Sequence, residues 1–194
     1  PSRGRSQTHG GTSRELSSVN PSIEGKVWKF GDKISTDLMM PGYSRGEGLE
    51  RAKYCMHSNR PEWSDMVQKG DVVVAGKNFG CGSSRAAALN LLLLGVSAVV
   101  AESISRIFFR NSINLGLPAV IAPGITSIAE EGDRIRIDLE IGEITNLTNG
   151  KTLRFDPMPE DSPPTQILKA GGILSMLEAE YGIKGKLKLS AQEG

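Results

Sequence analysis

The chain has 194 residues, of which 38% are hydrophobic and 23% are charged, a composition typical of one soluble globular domain. Its formal net charge of +1 is unevenly distributed, with +2 on the first 23 residues and −1 on the remainder. The folded part therefore lacks the basic excess that nucleic-acid binding requires, and no apolar run reaches the roughly 18–20 residues of a membrane span. We expect neither nucleic acid nor a membrane as a partner.

The two ends of the chain are polar. Residues 1–23 are rich in Ser, Gly, Arg and Thr and are predicted to be a disordered tail, because they contain too little apolar surface to offset the entropy of ordering. Residues 24–185 are predicted to form one domain and residues 186–194 a frayed C-terminus. With only two cysteines, a reducing compartment is expected. The expected location is the cytoplasm, or an organelle if residues 1–23 act as a transit segment.

The first two thirds of the chain predict strands that alternate with helices. The β-branched run at 71–75 is typical of a strand buried on both faces. The expected elements in chain order are a strand at 27–30, a loop with some helix at 42–59, a strand at 71–75, a glycine-rich turn at 76–82, a helix at 86–94, a strand at 98–101, a helix capped by Ser103 and ended by Gly116, and a strand at 118–121. This spacing indicates crossover connections and a mainly parallel central sheet, and hence the α/β class.

The last third changes character. Residues 134–141 alternate strictly between apolar and polar, as in a half-exposed strand. Residues 144–147 and 152–155 flank the favoured turn dipeptide Asn149-Gly150 and predict a hairpin. A helix is expected at about 165–181, with an interruption at Gly171-Gly172. A C-terminal hairpin and helix are thus added to the central sheet.

The sequence Gly80-Cys81-Gly82-Ser83-Ser84-Arg85 joins a buried strand to a helix start. Glycines allow a ligand to approach the backbone, successive N–H groups hold anions, and an arginine fork suits a carboxylate. The pattern predicts a site for a small carboxylate or phosphate compound at the carboxyl end of a parallel strand. A purely structural turn with a serine N-cap remains an alternative at this point.

Other site types fit this turn poorly. A dinucleotide fingerprint needs a third glycine where Arg85 stands, and a phosphate loop needs a lysine after the last glycine. His57 is the one histidine beyond the tail that could activate Ser83, and nothing in the spacing supports such a pair. For Cys81, a small residue filling a tight turn is favoured over a reactive thiol.

Three blocks of the chain resemble one known family. They are residues 70–85, which contain the glycine-rich turn, residues 101–111 and residues 114–118. Together with Gly31-Asp32, Ser35-Thr36-Asp37 and the 146–151 hairpin, they closely resemble the small subunit of 3-isopropylmalate dehydratase, whose fold is the swivelling β/β/α domain of aconitase and homoaconitase. The resemblance covers roughly residues 26–182.

The resemblance implies a hydro-lyase of leucine and branched-chain amino acid biosynthesis that is active only with a large subunit, in a heterodimer or heterotetramer. The reaction is the stereospecific dehydration and rehydration of a hydroxy di- or tricarboxylate. The open iron of a [4Fe–4S] cluster, carried by the large subunit and not by this chain, acts as Lewis acid on the departing hydroxyl. No metal or cofactor ligand is expected in this chain.

The resemblance also implies roles for individual residues. Ser83 is the base that removes the proton beside a carboxylate, and its alkoxide is stabilised by neighbouring N–H groups, the helix end and Arg85. Arg85 and Ser84 bind a substrate carboxylate. Asp37 matches the acidic residue of the Thr-Asp motif, which lies near the active site and pairs with a group of the large subunit.

Two departures from the family pattern concern the substrate. Ala86 and Ala87 replace a Glu-His pair, which removes charges beside the site. The loop after Pro41, where the family carries a Tyr-Leu-type segment, contains Arg45, which is expected either to contact an additional substrate carboxylate or to remain a solvated loop arginine.

Two other hypotheses stay open. One is a non-catalytic α/β module that binds a carboxylate or phosphate ligand. The other is a regulatory subunit whose site has decayed, against which the intact Ser83-Ser84-Arg85 sequence argues.

Overall fold

The computed structural model describes residues 21–82 and 87–181. In this part of the chain seven strands form a single sheet. The strands are β1 (Ser22–Lys29), β2 (Val72–Ala75), β3 (Ala98–Ala101), β4 (Ala119–Ile121), β5 (Arg134–Asp138), β6 (Glu143–Asn146) and β7 (Thr152–Arg154).

Helices connect the strands and close the chain. Several of them have only four or five residues. The helices of the described residues are α1 (Thr36–Met39), α2 (Gly48–Ala52), α3 (Trp63–Met66), α4 (Ala87–Leu93), α5 (Arg106–Leu115), α6 (Ile125–Ile128), α7 (Pro163–Lys169) and α8 (Ile173–Tyr181).

The sheet has two parts that share β1. Its order is β4-β3-β2-β1-β5-β6-β7, with parallel pairing from β4 to β1 and antiparallel pairing from β1 to β7. β1 pairs with β2 through residues 27–29 and with β5 through residues 22–26. It therefore begins earlier than the predicted strand at 27–30, because its first half is defined by a partner more than 100 residues away. The parallel core and the added hairpin are as the sequence predicts.

Two hydrophobic clusters lie on opposite faces of the sheet. Val73 and Ala75 belong to one cluster, whereas Val72 and Val74 belong to the other, so β2 is buried on both faces as predicted. The first cluster includes residues of α4 and α5, and the second includes residues of α6 and β5. The carboxyl ends of the parallel strands are thus supported by packed side chains on both faces.

Three boundaries differ from the sequence prediction. Ser105, not Ser103, is the N-cap of α5, while Gly116 ends that helix in a left-handed conformation as predicted. β5 stops at Asp138 because the Asp138 carboxylate accepts two backbone N–H groups of the following turn. The last helix begins at Pro163 rather than Thr165, and the predicted interruption at Gly171-Gly172 separates α7 from α8.

Candidate functional site

The glycine turn (residues 76–82) follows β2 at the carboxyl edge of the parallel strands. It runs between the loop after β1 and the loop after β3, in the same order as the strands themselves. Two isolated parallel bridges, Ser35 with Cys81 and Phe79 with Ile104, continue the pairing beyond the sheet. The turn is therefore held from both sides.

The loop after β1 contacts the turn through backbone and side chain. The N–H of Lys33 donates to the carbonyl oxygen of Lys77 at 2.7 Å, and the N–H of Thr36 donates to that of Cys81 at 2.8 Å. The Asp32 carboxylate accepts the N–H of Lys77 at 2.7 Å. Together these hydrogen bonds hold the turn against the segment that leads into α1.

The loop after β3 contacts the turn through two serines. Ser103 accepts the N–H of Phe79 on its carbonyl oxygen at 3.0 Å and the N–H of Asn78 on its hydroxyl at 2.9 Å. The N–H of Ser105 donates to the carbonyl oxygen of Phe79 at 2.8 Å, and the hydroxyl of Ser105 donates to that of Gly80 at 2.5 Å. Ser103, predicted as a helix cap, instead holds the turn.

Two glycines of the turn have no room for a side chain. Gly80 has a φ of 71°, and a β-carbon there would overlap the Phe108 side chain. Gly82 has a φ of 115°, and a β-carbon there would lie 2.9 Å from the Thr36 hydroxyl oxygen. Glycine is required at both positions by backbone conformation and by close packing.

The structure brings Asp37 next to this turn. Asp37 lies in the first turn of α1 and is exposed. The residue before it, Thr36, donates its N–H to the carbonyl oxygen of Cys81. Ser35 caps the helix by accepting the N–H of Leu38. Ser83, Ser84, Arg85 and Ala86 lie outside the described residues.

Helix α4 is fixed to α1 by a buried amide. The Asn90 side chain donates to the carbonyl oxygen of Met39 at 2.8 Å, and Asn90 is only 2% exposed. Ala87, at the position of the missing family histidine, is completely buried. Helix α1 thus contacts both α4 and, through the Thr36–Cys81 hydrogen bond, the glycine turn.

Arg45 lies elsewhere. It is exposed and lines an open groove of about 420 Å³ together with charged and polar residues of the 45–65 region, including Glu50, Lys53, His57 and Asp65. Among the described residues that line this groove, none belongs to residues 31–37 or to the glycine turn. The structure thus groups Arg45 with α2 and α3 rather than with Asp37.

The cysteines differ in environment. Cys55 is buried in the core, and this burial raises the pKa of its thiol far above the ordinary value. Cys81 is partly exposed within the glycine turn. Across residues 21–82 and 87–181, no group of three or more His, Cys, Asp or Glu side chains is arranged to hold a metal ion, and no helix is long and apolar enough to cross a membrane.

Sequence reasoning did not assign roles to Asp32, Ser103 and Ser105 in holding the turn. Each follows a strand that neighbours β2 in the sheet, and each binds backbone atoms of the glycine turn. Their position after a strand was the one feature that could have indicated this role, because loops at the carboxyl ends of adjacent parallel strands meet at one edge of the sheet. Finding them required the strand order, which the sequence did not specify.

Comparisons with known proteins agree on one family. Residues 46–123 match the family model of the aconitase C-terminal domain. The chain is 45% identical over 161 residues to the isopropylmalate/citramalate isomerase small subunit of Methanocaldococcus jannaschii, covering 80% of this chain and 94% of the relative. It is 45% identical over 168 residues to the methanogen homoaconitase small subunit of Methanothermobacter thermautotrophicus, covering 84% and 96%.

A solved structure is similar as well. The crystal structure of 3-isopropylmalate dehydratase from Methanocaldococcus jannaschii superimposes with a TM-score of 0.77 at 38% identity, over 85% of this chain and 98% of that one. The α/β fold predicted for this chain is thereby confirmed.

Proposed function

Because the chain belongs to the family of 3-isopropylmalate dehydratase small subunits, within the hydro-lyases of the aconitase superfamily, we propose that it completes the active site of a hydro-lyase whose large subunit is a separate chain. The single observation that carries the proposal is the 45% identity, over 80% of this chain, to a small subunit of an isopropylmalate/citramalate isomerase. The family membership confirms the resemblance carried by the glycine-turn block. It does not favour a non-catalytic binding module.

The substrate proposed is a hydroxy acid with two or more carboxylates. The relatives are named for isopropylmalate, citramalate and homoaconitase activities, which share this chemistry. Arg45 is proposed to contribute to the choice among such acids by binding a further carboxylate, which its exposed guanidinium can do in bidentate geometry. The groove it lines also contains Lys53, beside the carboxylates of Glu50 and Asp65.

Ser83 is proposed as the base, with Ser84 and Arg85 binding a substrate carboxylate. Support comes from the turn that precedes them, because residues 76–82 are hydrogen-bonded to both neighbouring loops at the edge of a parallel sheet where ligands bind. A turn held in this way fixes the point from which the chain continues to Ser83, and a preorganised site needs no rearrangement at the moment of reaction. Asp37 is proposed to pair with a group of the large subunit beside this site.

The iron–sulfur cluster of the family is proposed to belong to the large subunit. When bound there, it supplies Lewis acidity toward the substrate hydroxyl. The described residues of this chain do not fit such a cluster. Cys55 is buried, and no group of three or more possible metal ligands surrounds Cys81 in the part of the chain that the structure describes. The contribution of this chain is to hold the substrate and the proton-accepting hydroxyl.

The experiment is the substitution Ser83→Ala in the complex with the large subunit. Turnover should fall by at least about a thousandfold, because removal of an essential base or nucleophile has effects of that order, while assembly remains intact. Turnover is measured by the absorbance of the unsaturated intermediate acid, and assembly by size-exclusion chromatography.

Ser127→Ala is the matched control. Ser127 is an exposed serine whose hydroxyl donates to the carbonyl oxygen of Gly124, and its removal should leave turnover unchanged. Normal turnover by the Ser83→Ala complex would remove Ser83 from the role of base.

A further inference from the structure

Ser105 contacts the glycine turn through its backbone and its side chain. Its hydroxyl donates to the carbonyl oxygen of Gly80 at 2.5 Å and accepts the N–H of Phe108 at 3.4 Å. Its own N–H donates to the carbonyl oxygen of Phe79 at 2.8 Å. Because Ser105 is also the N-cap of α5, one side chain joins the first turn of that helix to the glycine turn.

Aromatic packing strengthens the same junction. The rings of Phe79 and Phe108 meet edge to face with centroids 5.1 Å apart, and both residues are buried. The Phe108 side chain also occupies the space that a β-carbon on Gly80 would need. The start of α5 and the middle of the glycine turn are therefore packed closely against each other, which limits how far either can shift.

We infer that Ser105 is a positioning residue for the hydro-lyase reaction. The inference rests on the proposed function, because it assigns Ser105 to holding the turn that continues to Ser83. A hydroxyl donor at position 105 fixes the carbonyl group of Gly80, three residues before the proposed base, and thereby restricts where the chain leaves the turn. Positioning of this kind affects kcat strongly, because small displacements of reacting groups slow the chemical step.

Three substitutions separate the hydrogen bond to Gly80 from the helix cap. Ser105→Ala removes both interactions. Ser105→Asp keeps an acceptor for the N–H groups of α5, since aspartate is as good an N-cap as serine, but an ionised carboxylate cannot donate to Gly80. Ser105→Thr keeps both the donor and the acceptor.

Ser97→Ala is the matched control. The Ser97 hydroxyl donates to the carbonyl oxygen of Gly70 at 2.8 Å. This hydrogen bond also joins a serine beside β3 to a glycine beside β2, but it lies at the amino ends of these strands, opposite the glycine turn. The control therefore removes a similar bond from the same pair of strands without touching the site.

The variants are assayed as complexes with the large subunit, and thermal unfolding is followed for each. We expect Ser105→Ala and Ser105→Asp to lower kcat roughly ten- to hundredfold with KM changed much less, as a misplaced catalytic group would. Ser105→Thr should restore kcat to near that of the unsubstituted complex, and Ser97→Ala should retain it.

If the Ser105→Asp complex keeps the kcat of the unsubstituted complex, the hydroxyl acts only as a helix cap and the inference is wrong. It would also be wrong if Ser105→Ala and Ser97→Ala lowered kcat equally. Failure of the unsubstituted complex to turn over any hydroxy acid would instead overturn the proposed function, and the role of Ser105 with it.

Discussion

At the scale of single residues, Glu102 organises the loop between β4 and α6. It directly follows β3, and its carboxylate accepts hydrogen bonds from the N–H of Gly124, the N–H of Thr126 and the hydroxyl of Thr126, at 2.6–3.0 Å. Partial burial opposes ionisation of Glu102, but these hydrogen bonds and the nearby Lys77 outweigh it and lower the pKa of the carboxyl. The ionised form is thus stabilised by folding.

The substitution Glu102→Gln should reduce the free energy of unfolding by about 1–3 kcal/mol at neutral pH, because the side chain loses its negative charge and one of its two acceptor oxygens becomes an NH2 donor that cannot accept from the loop. The pKa in the folded state is below the ordinary value of 4.5, so this stabilisation is complete above pH 4.5 and is lost as the pH falls through the lowered pKa. The difference between the two proteins should therefore shrink below pH 4.5.

Urea denaturation at several pH values measures this difference. The control is Glu160→Gln, because Glu160 is largely exposed and its ion pair with Lys169 should contribute little. An equal loss of stability in both variants would contradict the role assigned to Glu102.

At the scale of elements, α5 ends against the junction of α7 and α8 through glycines. Gly116 has a φ of 81°, and a β-carbon on it would lie 2.6 Å from the carbonyl carbon and oxygen of Gly171. A β-carbon on Gly172 would lie 2.9 Å from the carbonyl oxygen of Asn114. The backbone at the end of α5 therefore packs directly against the backbone between α7 and α8, and this close approach sets the position of the C-terminal helices on α5.

Gly116→Ala should therefore destabilise the protein more than its backbone conformation alone explains. The control is Gly132→Ala. Gly132 has a φ of 85°, and nothing lies within 4 Å of the place that its β-carbon would take. This variant therefore reports only the cost of the left-handed backbone conformation, about 1–2 kcal/mol. The additional loss for Gly116→Ala should be about 1–3 kcal/mol, the cost of overpacking. Equal urea midpoints for the two variants would show that the junction can move aside.

The elements that the sequence predicted well have strong local signals. The β-branched apolar runs of β2 and β3, the Gly116 stop of α5 and the Asn149-Gly150 turn each depend on neighbours in the chain. The start of β1 was missed because its partner is β5, and the four-residue helices α1, α3 and α6 are too short for a periodic pattern.

The candidate site was predictable only where its features depend on neighbours in the chain. The glycine-rich turn is visible as a motif, and its place at a strand end follows from the buried run before it. The contacts of Asp32, Ser103 and Ser105 with the turn depend on which strands are neighbours. Ser103 was predicted to cap α5, and only the course of the loop shows that Ser105 performs this role.

At the scale of the whole molecule, β1 joins two kinds of sheet. On one side lie the parallel strands β2, β3 and β4, where the loops after β1 and β3 hold the glycine turn that follows β2. On the other side β5 forms an antiparallel meander with the hairpin β6–β7. Both faces are covered by separate hydrophobic clusters. One edge of the sheet thus carries a turn that is hydrogen-bonded from both sides, and by our proposal the large subunit completes the site at this edge.

The most direct test of the proposed function is turnover measured for the chain alone, for the large subunit alone and for their mixture, with a panel of hydroxy di- and tricarboxylic acids. We expect activity only in the mixture, rising with added chain until the two subunits are equimolar. Turnover by the chain alone, or activity of the large subunit that does not change when the chain is added, would contradict the proposal.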